Sequence, residues 1–248
     1  MYMDTQRFEW AKEQIIGLNR KRKGIGTLSE KTLHAILKLY LEPDADYHEV
    51  PVNGFVADIY RDGSIIEVQT ANFNKLREKL SVFLNEYEVT IAYPIPYEKW
   101  LSWMDTETGE LGKKRKSPKT GSAYEAFIQL YKIKQFLNNP NIRIKLLLIN
   151  MDEIRLLNGW SSNKKRGSTR FDRIPRELVE EIDFETAKDY IQMVPMDLPE
   201  TFLAKEFARA AHISIGLAQM TLNILTYTEV VERVGKSGNA ILYHVSEW

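Results

Sequence analysis

The chain has 248 residues, with 34 basic and 34 acidic side chains giving a net charge of zero, 44% hydrophobic and 27% charged residues, and no cysteine. That length buries a sizeable core in one large domain or two smaller ones, and the lack of cysteine excludes disulfides, thiolate zinc sites and cysteine nucleophiles. Zero net charge leaves any case for a nucleic-acid partner to local patches, and four scattered histidines argue against a histidine-rich metal site.

Residues 1–10 are too polar for a secretory h-region, and no apolar run approaches the ~20 residues of a membrane helix, so a cytoplasmic protein without a membrane partner is expected. Phe8, Ala11, Ile15 and Leu18 follow helical spacing and predict an amphipathic first helix. It ends in the basic run 19–24, which reads as a solvated helix end. Thr27-Leu28-Ser29-Glu30 fits a capping box and opens a second helix through Leu33, Ile36, Leu37 and Tyr40, stopped by Pro43.

Residues 48–52 read as a strand. The stretch 54–70 then places two runs of branched and aromatic residues around Asp62-Gly63, the composition of a two-residue type I′ hairpin. Such a loop sets Arg61 against Ser64, Tyr60 against Ile65, Ile59 against Ile66, and Asp58 against Glu67. Strand periodicity brings Gln69 to the same face. Two like charges facing each other in a ladder destabilise it, so a sequence that keeps both acids uses them. Two converging carboxylates are what a hard divalent cation such as Mg²⁺ requires.

A helix opening at Asn72 is predicted next, with Phe73, Leu76, Leu80, Phe83 and Leu84 on one face, then a strand over 88–95. Residues 105–122 read as a polar surface loop carrying Lys113, Lys114, Arg115 and Lys116. Helical spacing returns over 123–136, and 142–149 has the near-continuous apolar pattern of a strand covered on both faces. A second basic loop, with Lys164, Lys165 and Arg166, marks the expected domain boundary, giving domains 1–165 and 171–248.

Beyond it, helices are predicted over 178–191, 201–211 and 215–225, and strands over 230–234 and 240–245. Helix, turn, helix and hairpin is the layout of a winged helix-turn-helix. Its recognition-helix positions hold no Lys or Arg. Gln219 and Asn223 are the candidates to reach base edges, and Lys236 at the wing tip is a candidate phosphate contact. The basic loops at Lys113, Lys114, Arg115 and Lys164, Lys165, Arg166 are the stronger candidates for gripping a nucleic-acid backbone.

The hairpin resembles the PD-(D/E)XK nuclease superfamily, known by an acid on the second core strand and Glu-x-Lys on the third. Here Asp58 and Glu67-Val68-Gln69 stand at those places, and the helix before them supplies Glu30, where many members carry a further acid. The resemblance covers roughly residues 24–150. It implies a restriction-endonuclease-like mixed sheet flanked by helices, of α/β (α+β) class, followed by the winged-helix domain. It also implies Mg²⁺ or Mn²⁺ held by Asp58, Glu67 and the carbonyl of Val68, with Glu30 binding through water or orienting it. Gln69 replaces the family's Lys and carries no charge; Lys75 and Lys79 on the following helix are the candidates to supply it.

Two functions stay open on these residues. One is a metal-dependent DNA endonuclease whose winged helix positions it on DNA or a partner. The other is a non-catalytic DNA-binding or regulatory protein that keeps a nuclease-like scaffold. A third reading makes the carboxy-terminal domain a dimerisation module, giving a homodimer or larger nucleoprotein assembly. His34 reads as a packed or surface histidine.

Overall fold

Alternating and helical periodicities take shape as a mixed α+β chain in a computed structural model that describes residues 4–21, 31–159 and 168–246. In order come helices α1 (Thr5–Lys21) and α2 (Thr32–Leu41), then strands β1 (His48–Val52), β2 (Phe55–Arg61) and β3 (Ser64–Val68). Helix α3 (Arg77–Phe83) leads to β4 (Glu88–Met104) and β5 (Arg115–Lys116), and α4 (Phe127–Leu130) to β6 (Ile142–Leu156) and β7 (Arg170–Phe184). The chain closes with β8 (Thr201–Leu203), α5 (Ala204–Ala210), α6 (Ile215–Tyr227), β9 (Val231–Ser237) and β10 (Ala240–Val245). Among the described residues seven strands make one large sheet in the order β1-β2-β3-β4-β6-β7, with β5 beside β4. The sheet is mixed because β2 and β3 are antiparallel while β3 and β4 are parallel across α3. Among the described residues no helix is long and apolar enough to cross a membrane.

The chain groups into two compact units, each drawn from three stretches. The first comprises Met1–Val50, Pro94–Ser122 and Leu147–Glu181. Here the helical stripe read from the sequence is realised: Phe8 and Ala11 on α1 meet Leu33, Ile36, Leu37 and Tyr40 on α2, all buried. Phe8 and Tyr40 pack edge to face with centroids 5.4 Å apart. The Tyr40 hydroxyl donates to Glu181 Oε1 at 2.7 Å, tying α2 to β7. The capping box at Thr27 to Glu30 and the basic run after residue 21 lie outside the described residues, and α2 begins at Thr32 behind Lys31.

The second unit comprises Pro51–Tyr93, Ala123–Leu146 and Ile182–Trp248. Ala57, Ile59, Ile65 and Val68 of the hairpin are buried, as are Phe73, Leu80 and Phe83 of the segment after it. Ser214 caps α6, its Oγ accepting the Leu217 N–H. Strands β8, β10 and β9 make a separate three-stranded sheet in that order.

Several expectations change, among them the helix over 201–211, whose first residues Thr201–Leu203 form β8 while α5 begins at Ala204. Residues 178–191 do not form a helix: β7 runs to Phe184 and a 3-10 turn follows at Ala187–Met193. Leu178 and Ile182 are four apart and fit a strand face as well as a helical one, and pairing of β7 with β6 in the sheet decides for the strand. Residues 123–136 are not one helix but a 3-10 turn, the short α4 and a second 3-10 turn broken at Ile133 (φ −118°, ψ 17°). The loop 105–122 contains β5, whose Lys116 and Arg115 pair with Trp100 and Leu101 of β4. Both long strands outrun their apolar runs, β4 to Met104 and β6 to Leu156. The basic loop expected to separate two domains, residues 160–167, lies outside the described residues.

Candidate active site on the β2–β3 hairpin

Asp62 and Gly63 both take positive φ, 50° and 84°, as the two-residue turn demands, and this fixes the hairpin register. Arg61 pairs with Ser64, Tyr60 with Ile65 and Ile59 with Ile66, as read from the sequence. One step further along come Asp58 and Glu67. There the link passes from side chain to main chain: the Val68 N–H donates to Asp58 Oδ2 at 2.8 Å.

Glu67 is only 3% exposed, while Asp58 is half-buried. Burial pushes the Glu67 carboxyl up to about 7, and the nearby negative charge of Asp58 adds to the rise. Lys79 opposes it. From α3 its Nζ donates to Oε1 and Oε2 of Glu67 at 3.0 and 2.8 Å, and to the Val56 carbonyl at 2.7 Å. One ammonium thus reaches both strands of the hairpin.

Gln69 continues the strand, its N–H donating to the Ala92 carbonyl of β4 at 2.9 Å. Its side-chain amide donates instead to the Ala71 carbonyl, within the loop where Asn72 turns at φ 57°. Val68, the last residue of β3, is buried. Lys75, in the 3-10 turn Phe73–Leu76, is exposed, whereas Lys79 one turn later is the residue that meets Glu67. Glu30 lies outside the described residues. Among the described residues no group of three or more His, Cys, Asp or Glu is placed to hold a metal ion.

The nucleic-acid candidates fall in different settings. Lys113 is exposed; Lys114 Nζ pairs with Asp152 at 2.8 Å, and the Arg115 guanidinium sits 4.8 Å from the Trp103 ring centroid. Lys164, Lys165 and Arg166 lie outside the described residues. On α6, Gln219 is exposed, but Asn223 Oδ1 accepts from Lys134 Nζ at 2.9 Å, and the Tyr227 hydroxyl donates to the Gln135 carbonyl at 3.2 Å. The second half of that helix is therefore docked on the 3-10 turn after α4. Lys236 is exposed on β9 opposite Ile241.

A further charged cluster was not read from the sequence. Glu153 of β6, 1% exposed, gathers Arg155, Arg170 and Arg173 around its carboxylate. Its only trace in the sequence is an acid two residues from an arginine at the end of an apolar run.

Residues 31–185 match the family described as "Domain of unknown function (DUF8091)", and since the match covers more than half of the chain, the chain belongs to that family. A relative from Treponema pallidum (strain Nichols), described as "Uncharacterized protein", is 26% identical over 186 residues, spanning 75% of this chain and 74% of its own. No solved structure matches the chain.

Proposed function

We propose that this DUF8091 protein is a metal-dependent DNA endonuclease acting in the cytoplasm, with Asp58, Glu67 and Lys79 as its working groups. The observation that carries the reading is the convergence of two carboxylates and one ammonium on adjacent strands of the hairpin. The order α2, β1, β2, β3, α3, β4, with β3 and β4 parallel, suits the restriction-endonuclease-like core that the sequence resembles.

The donor set fits Mg²⁺ or Mn²⁺ in kind. Asp58 and Glu67 offer hard carboxylate oxygens, and the Val68 carbonyl is the third oxygen on the same short segment. Burial first and the charge of Asp58 second raise the Glu67 pKa, and a bound cation would relieve both. When bound, such an ion lowers the pKa of a coordinated water and stabilises charge on the phosphodiester. Lys79 supplies the positive charge that Gln69 lacks and would stabilise the phosphoryl oxygens. Gln69 holds the loop after β3 through Ala71, and exposed Lys75 belongs to the periphery.

The carboxy-terminal arrangement of β8, α5, α6 and the β9–β10 hairpin suits a winged helix that positions the chain on DNA or joins two copies in a homodimer or nucleoprotein assembly. Gln219 and Lys236 remain exposed for it, while Asn223 is held by Lys134.

A specific observation favours the second reading, a non-catalytic DNA-binding or regulatory protein: both oxygens of Glu67 already accept from Lys79. One experiment separates the two. Plasmid, linear and branched DNA are incubated with Mg²⁺ or Mn²⁺ and wild type, Asp58→Ala, Glu67→Ala or Lys79→Gln protein. Cleavage that needs the metal and fails in all three variants supports the nuclease. Absence of metal-dependent scission, or equal scission by the variants, overturns it.

A further inference from the structure

Glu153 and Arg155 stand two apart on β6 and so share a face of that strand. Arg155 Nε and Nη2 approach Glu153 Oε1 at 2.8 and 2.6 Å, Arg173 Nε approaches Oε2 at 3.2 Å, and Arg170 Nε lies 3.7 Å from the same oxygen. The carboxylate is 1% exposed, but Arg155 and Arg170 keep 33% and 49% of their side chains in solvent. Each guanidinium carries five N–H donors, while a carboxylate offers about four acceptor sites, so the partly exposed Arg155 and Arg170 together carry more donors than Glu153 can take. Lys99 of β4 belongs to the same neighbourhood. Burial pushes its pKa down and Arg173, Arg155 and Lys119 push it further, against the attraction of Glu153. All these residues lie in the first unit.

We propose that Arg155 and Arg170, oriented by buried Glu153, form a binding site for a phosphate group. The planar fork of arginine matches phosphate oxygens two at a time, and a buried acid that fixes the forks lowers the ordering cost on binding. The shared chemistry is a phosphate dianion or diester, whose source is either a nucleic-acid backbone or free phosphate. The site does not depend on cleavage at Asp58 and Glu67.

Full-length protein in EDTA is titrated against a fluorescent DNA duplex by anisotropy across a salt series, and inorganic phosphate is titrated separately by thermal shift. For a nucleic-acid source, Arg155→Gln/Arg170→Gln weakens duplex binding about tenfold and flattens the salt slope by about 2, the share of two phosphate contacts. For a free-phosphate source, duplex binding stays unchanged, and phosphate raises the melting temperature of wild type but not of the double variant. Arg170→Gln alone, at the longest contact and half in solvent, carries part of either effect without touching the Arg155–Glu153 pair. Arg77→Gln/Lys188→Gln removes the same charge from exposed positions outside both the cluster and the carboxy-terminal β8 to β10 arrangement. Equal weakening by that control, or no change in either titration, overturns the proposal. Both titrations are run in EDTA and read binding rather than scission, so a failed nuclease and a failed phosphate site give different results.

Discussion

Replacing Lys79 by methionine tests the electrostatics of the hairpin directly. In wild type the ammonium donates to both oxygens of a carboxylate that is 3% exposed, with Asp58 close enough to raise its pKa. Removing one partner of a buried pair leaves an uncompensated charge and costs about 3–5 kcal/mol. In Lys79→Met the cost should be near the lower end, about 3 kcal/mol, because protonation of Glu67 offers an escape. For a chain of this size that lowers the melting temperature by about 6–12 °C.

The dependence on pH carries the sharper test. The Glu67 pKa rises from 4.5 in the unfolded chain to about 7 in the fold, so between those values the folded protein holds a proton that the unfolded chain has lost. The stability contributed is fully present below pH 4.5 and is lost as pH rises through about 7, an amount on the order of 3 kcal/mol. Lys79 limits the rise, so without it the pKa climbs further, and the loss of stability continues to higher pH and totals more. Urea denaturation from pH 5 to 8.5 should show Lys79→Met nearly as stable as wild type at pH 5, within about 1 kcal/mol, and far less stable at pH 8.5. The double variant Glu67→Gln/Lys79→Met should recover most of the loss at high pH. A deficit in Lys79→Met that is the same at both ends of the range refutes the reasoning.

Asp58→Asn removes the neighbouring charge, so the Glu67 titration followed by carboxyl NMR should move below about 7; an unchanged or higher midpoint means that burial alone sets it. Calorimetry should show Mn²⁺ binding to wild type weakening as pH falls through about 7, since only ionised Glu67 is a ligand, and pH-independent binding would place the ion elsewhere. Gly121→Ala puts a Cβ 2.1 Å from the Pro96 carbonyl oxygen, a main-chain atom that must shift, so denaturation should show a loss of about 1–3 kcal/mol or more. Asn223→Ala should cost about 1–2 kcal/mol through its bond with Lys134 yet leave duplex affinity intact, whereas Gln219→Ala leaves stability intact; a large affinity loss in Asn223→Ala would mean that α6 leaves its dock to meet DNA.

What could be read from residues alone follows how local the determining physics is. The hairpin was legible because Asp62 and Gly63 tolerate positive φ, and a two-residue loop leaves one register, which puts Asp58 and Glu67 at one end. The partner of Glu67 was less legible. Lys75 and Lys79 share a face only if one α-helix carries both, but a 3-10 turn at Phe73–Leu76 winds more tightly than α3 and alters the phase, leaving Lys75 exposed and Lys79 inward. Strand β7 was hidden because Leu178 and Ile182 satisfy helical spacing as well as a strand face, and only pairing in the sheet decides between them. The arginine cluster was invisible for the same reason in stronger form. Glu153 lies where a continuous apolar run gives way to charge, so the apolar pattern ends the strand at Ile149, and two of the three arginines around the acid arrive from β7, some twenty residues away. Both charged centres therefore depend on a contact from a separate element, Lys79 of α3 for the first and Arg170 of β7 for the second, and Lys79→Gln and Arg170→Gln are the single substitutions that test each centre there.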